Sequence, residues 1–80
     1  IENDARIHRI LLHVKFEPQA SSLAADLKSK YDIEAELIPA KGGLFEVIAE
    51  GELIFSKKKL DRFPEHKEIF AEIDQLRSDN

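Results

Sequence analysis

Two hydrophobic rhythms run along the chain. Ile10, Leu12, Val14 and Phe16 alternate with Arg9, Leu11, His13 and Lys15, the period-two pattern of a strand with two differently clothed faces. Pro18 suits the first turn of a helix, and Ala20, Leu23, Ala24, Leu27 and Tyr31 then recur at three- and four-residue steps, which predicts one apolar helical stripe. Alternation returns in Ile33, Ala35 and Leu37 against Glu34, Glu36 and Ile38, until Pro39 and Gly42-Gly43 stop the second strand. Leu44 to Ala49 and Glu52 to Ser56 flank Glu50-Gly51, a two-residue link that fits a tight hairpin. Lys57 to Arg62 reads as a basic connection. Pro64 then opens a last helix, fraying by Ser78, whose His66, Ile69, Phe70, Ile73 and Leu76 share a face.

The resulting order, β-α-β-β-β-α, predicts a two-layer α+β fold with a mixed four-stranded sheet. Its first two strands run parallel through a right-handed crossover and its last two form an antiparallel hairpin, giving the order 2-1-3-4. No repeat, linker or low-complexity tract interrupts it, so residues 1–80 read as one domain. Both helices are expected on one face of the sheet. That face would take Ile10, Leu12, Val14 and Phe16, then Ile33, Ala35 and Leu37, then Phe45, Val47, Ala49, Leu53 and Phe55. The other face would show Leu11, His13, Ile38, Leu44, Ile48 and Ile54 beside Arg9, Lys15, Glu34, Glu36, Glu46 and Glu52. A wet sheet face is normally polar, so five aliphatic residues make this side a candidate interface for a partner protein or a second copy. The simpler reading is that β-branched residues there only satisfy strand propensity. His13 near Glu36 or Glu46 would make such an interface sensitive to mild acid.

Composition narrows the chemistry. Eighty residues hold a single small core, and with no cysteine neither disulfides nor thiolate metal sites are available. A net charge of −4 counts against phosphate-backbone binding as the main task, so nucleic acid is not an expected partner. No apolar run approaches the roughly 20 residues that cross a bilayer, and Ile1 to Arg6 is too polar for a signal peptide's core, so a soluble, cytoplasmic chain is expected. Starting at Ile1 rather than Met, it reads as a processed form or a piece of something longer.

One half of the chain also carries a resemblance. Gly43-Leu44-Phe45-Glu46-Val47, Gly51-Glu52-Leu53-Ile54, Ser56-Lys57-Lys58-Lys59 and Arg62-Phe63-Pro64 resemble, in order and spacing, the C-terminal half of selenoprotein W and its Rdx relatives. The resemblance implies a thioredoxin-like fold and a Cys-x-x-Cys or Cys-x-x-selenocysteine motif after an aromatic residue, between the first strand and the first helix. Phe16 fills the aromatic place, and Glu17-Pro18-Gln19-Ala20 follow where the motif is implied. Thiol–disulfide exchange needs a thiolate, which this sequence lacks, so the family's redox activity does not carry over.

Other chemistry finds little support. His8, His13 and His66 share no ligand spacing, so no metal or other cofactor is expected. His66 reads as a half-buried side chain at the edge of the last helix's stripe, and no Gly-x-Ser-x-Gly elbow surrounds any serine. Lys57, Lys58, Lys59, Arg62 and Lys67 form the one basic cluster, suited to phosphates or an acidic partner, or simply to solvation. The expected function is that of a redox-inactive, non-enzymatic interaction or assembly module. The alternative is a relative of thiol oxidoreductases that still binds a small thiol such as glutathione beside the first strand and helix.

Overall fold

The computed structural model describes residues 8–78. Strands β1 (His8–Leu12), β2 (Glu36–Pro39), β3 (Phe45–Ala49) and β4 (Glu52–Ser56) form one sheet in the order β2-β1-β3-β4. β1 and β2 are parallel, while β1–β3 and β3–β4 are antiparallel, as the element order predicts. α1 (Glu17–Tyr31) and α3 (His66–Ser78) are the long helices, and α2 (Lys57–Leu60) is a single turn in the basic connection.

Each helix boundary has a local cause. α1 starts with Pro18 in its first turn, where a missing N–H costs nothing, and ends at Asp32 in the left-handed region (φ 57°). Asp32 closes it by donating its N–H to Leu27 and Lys28 carbonyls and accepting from Lys28 Nζ at 2.8 Å. Before α3, Glu68 reaches back to accept the Glu65 N–H at 2.9 Å, the reciprocal half of a capping box. The β3–β4 link has positive φ at both Glu50 (52°) and Gly51 (81°), the geometry that matches hairpin twist.

The core lies between the sheet and the two long helices. Ile10, Leu12, Phe45, Val47, Ala49 and Phe55 from the strands meet Ala20, Leu23 and Leu27 of α1 and Ile69 and Ile73 of α3. Both helices therefore cover one sheet face.

The strands differ from the periodicity in extent and in one register, β2 beginning at Glu36 rather than Ile33. β1 stops at Leu12, and Val14–Phe16 turn as a 3₁₀ segment, leaving Val14 71 % exposed instead of in the core. Phe16 still packs against the core from that turn. In the second hairpin strand, Val47 pairs with Phe55 but Ile48 pairs with Leu53, so Ile54 is an extra, bulged residue. The bulge exchanges two predicted positions: Ile54 packs against the core, and Leu53, directly across from Ile48, faces outward and is 51 % exposed.

Candidate functional site

The strand directions bring three loops to one end of the sheet: 13–17 after β1, 40–44 before β3, and 57–65 after β4. An aromatic cluster fills this end. Phe63 stands edge-on to both Phe16 (centroids 4.9 Å apart) and Phe45 (5.3 Å), an arrangement that ring quadrupoles favour. Lys57 Nζ lies 5.4 Å from the Phe16 and Phe63 ring centroids, and Lys15 Nζ 5.3 Å from Phe16.

Beside these rings the start of α1 and the start of α3 enclose a groove of about 290 Å³, walled by Pro18, Gln19, Ser22, Leu23, Phe45, Phe63, Pro64 and His66. His66 Nδ1 meets Asp26 Oδ2 of α1, so one polar contact ties the two helices across the groove's flank. Arg62 fastens the approaching loop to α3 through a two-pronged contact with Glu68, at 2.6 Å and 3.0 Å. That contact and the Glu65 N–H hold the Glu68 carboxyl down at about 2.

The sequence-predicted loop residues do not act as a unit. Phe16 joins the aromatic cluster, Glu17 is exposed, Pro18 and Gln19 form the groove's wall, and Ala20 is fully buried beneath it. A side chain at position 20 is therefore part of the core. The His66–Asp26 contact, 40 residues apart in sequence, and the groove itself carried no linear signal.

The other candidate surface is the sheet face opposite the helices. Register places Ile38 beside Leu11, and Ile48 between Arg9 and Leu53. All four aliphatic residues keep solvent exposure. Arg9 pairs with Glu36 across the strands at 3.6 Å, and Glu46 accepts a hydrogen bond from Ser56 Oγ at 3.2 Å. Leu44 and His13 lie beyond the strand ends, joined by the His13 N–H donating to the Leu44 carbonyl at 2.9 Å. His13 Nδ1 accepts from the Lys15 N–H, and its ring stands edge-on to Phe16. It thus caps the 3₁₀ turn, while Glu36 and Glu46 have the other partners just described.

The Rdx family model matches residues 13–75, which spans every described element from the 3₁₀ turn to most of α3. The chain belongs to the Rdx family. Among solved structures, a selenoprotein W-related protein from Vibrio cholerae is similar, with TM-score 0.80 and 24% identity over 86% of this chain and 92% of that one. A protein from Bordetella parapertussis is also similar, with TM-score 0.73 and 23% identity over 91% of this chain and 95% of that one. Both likenesses concern the thioredoxin-like fold. No curated protein matches this chain. This Rdx chain thus combines the family's scaffold with a sequence free of cysteine. Among the described residues, no helix is long and apolar enough to cross a membrane.

Proposed function

We infer that the chain is a redox-inactive Rdx module, soluble and cytoplasmic, that works as a non-enzymatic interaction or assembly domain through its uncovered sheet face. One observation carries this reading: Leu11, Ile38, Ile48 and Leu53 form a half-exposed aliphatic set on the side away from both helices, in a family scaffold without the sulfur its exchange reaction requires. Leu60, 51 % exposed like Leu53, extends that set around the edge of β4.

A second copy of the chain is the occupant that fits best. Arg9 stands between Glu36 and Ile48 in one cross-strand row and Glu46 beside Leu11 in the next, so the face carries both signs, and under two-fold symmetry Arg9 of one copy is available to a carboxylate of the other. Light scattering across a hundredfold range of concentration tests this. The wild type should shift from monomer to dimer, and Ile48→Lys with Leu53→Glu should stay monomeric while keeping the same circular dichroism. A wild type that stays monomeric throughout would refute self-association.

A second reading rests on the groove. Its position between the starts of α1 and α3, with Ser22 and His66 as polar walls, suits a small thiol such as glutathione held without turnover. Titration with reduced glutathione should then move the amides of 17–22 and 63–66; unmoved amides at millimolar ligand would remove this reading.

A further inference from the structure

We propose that the cleft between the 41–44 loop and α2 is a binding site for a small, phosphate-bearing anion. The cleft, about 430 Å³, is lined by Lys41, Gly42, Gly43, Leu44, Lys57, Lys58 and Asp61. This inference is independent of the sheet-face and groove readings.

What marks the site is the convergence of unpaired lysines on one concavity. Arg9, Lys28, Arg62, Lys67 and Arg77 each have a carboxylate within 4 Å. Among the described residues Lys41, Lys57 and Lys58 have none, as is also true of Lys15, Lys30 and Lys59, but only the first three line one cleft. Here two segments distant in sequence converge their lysines on one concavity. Lys57 is held by the faces of Phe16 and Phe63, which limits the side-chain freedom a ligand would otherwise have to freeze.

The backbone contributes access. Gly42 and Gly43 both have positive φ (73° and 68°), and a Cβ built on either meets nothing within 4 Å. The left-handed backbone favours glycine there, and without side chains the main chain of both residues is bare where it lines the cleft. Lysine binds phosphate as a point charge, and a phosphomonoester concentrates about −1.5 to −2 charge at neutral pH. Three cations against the single carboxylate of Asp61 leave net positive charge for such a group. The cleft's size and the chain's overall negative charge disfavour a long nucleic acid.

The test is an amide-shift titration of the whole chain with inorganic pyrophosphate, with ionic strength held constant by chloride. Saturable shifts confined to 41–44 and 57–61 are expected. Lys41→Glu with Lys58→Glu should weaken binding by about tenfold or more, the loss typical of charged hydrogen bonds. Asp61→Asn, which tolerates the left-handed backbone at that residue (φ 57°), should tighten it several-fold. Lys59→Glu, outside this cleft, should leave affinity within about twofold. Shifts that never saturate, that chloride alone reproduces, or that survive the double substitution would overturn the site. Citrate binding as tightly as pyrophosphate would overturn its preference for phosphate.

Discussion

The two ends of the sheet handle charge in opposite ways. At the hairpin end, Glu50 is 7 % exposed and accepts from Arg77 Nε at 2.8 Å, while the Arg77 guanidinium lies over the Tyr31 ring at 5.2 Å. Tyr31 Oη donates to Asp74 Oδ1 at 2.8 Å and also contacts the Phe70 carbonyl. Burial, then the Asp74 carboxylate, push the Tyr31 hydroxyl up to about 12. Lys28 similarly joins Asp32 and Glu34, which raises its pKa and lowers that of Asp32. At the loop end, Arg62 is fastened to Glu68, but Lys15, Lys41, Lys58 and Lys59 have no carboxylate partner among the described residues. One end spends its polar groups on closing the fold. The other ties down Arg62 and His66 but leaves most of its lysines facing solvent, around the groove, the aromatic cluster and the cleft, which is where binding chemistry has room to act.

The contrast can be tested in order of expected effect. The aromatic cluster is the loop end's own structural anchor, so Phe45→Ala, at a site 1 % exposed, should cost about 3–5 kcal/mol by chemical denaturation. Arg77→Ala strands a buried carboxylate at a positive-φ residue and should cost about 2 kcal/mol, with Arg77→Lys recovering only part because the planar contact with Tyr31 is lost. Tyr31→Phe removes the hydroxyl alone and should cost about 1 kcal/mol. By contrast, Lys58→Glu should change stability by less than about 0.5 kcal/mol, because no internal partner depends on it. A large loss there would erase the distinction between the ends.

Acid adds a sharper probe of the Arg62–Glu68 contact at the loop end. The Glu68 carboxyl is depressed in the folded chain, so its contribution is present above its unfolded value of about 4.3 and is lost as pH falls through about 2. Denaturation curves between pH 5 and 2 should therefore flatten in Arg62→Ala relative to the wild type. The high Tyr31 value works the other way. Its contribution is complete below the unfolded value of about 10 and declines as pH rises toward about 12.

Much of this was legible in one dimension. The helical stripes of α1 and α3 and the Glu50-Gly51 hairpin follow from local spacing, and the resemblance through Gly43 to Pro64 pointed to the right family. Sequence reasoning erred where a strand depends on its neighbour. Val14 and Phe16 continue the alternation of β1, but no residue of β2 or β3 pairs with them, so the chain turns into a 3₁₀ segment. Ile54 and Leu53 alternate correctly as a pattern, yet the bulge opposite Val47 and Ile48 exchanges their faces. Of the candidate interface, Leu11, Ile38 and Ile48 lie in register on the open face, while His13 and Leu44 belong to the strand ends.

By itself, then, the sequence determined the elements, their order, the absence of a thiol nucleophile and the helix-facing core, because each depends on residue type and on spacing within a few turns. Tertiary structure alone decided the bulge, the Glu50–Arg77 and Asp26–His66 contacts, and the meeting of Lys41 with Lys57 and Lys58. The side-chain meetings join residues 16 to 40 apart, and side-chain periodicity within a segment says nothing about which groups on another segment will stand opposite once the layers pack.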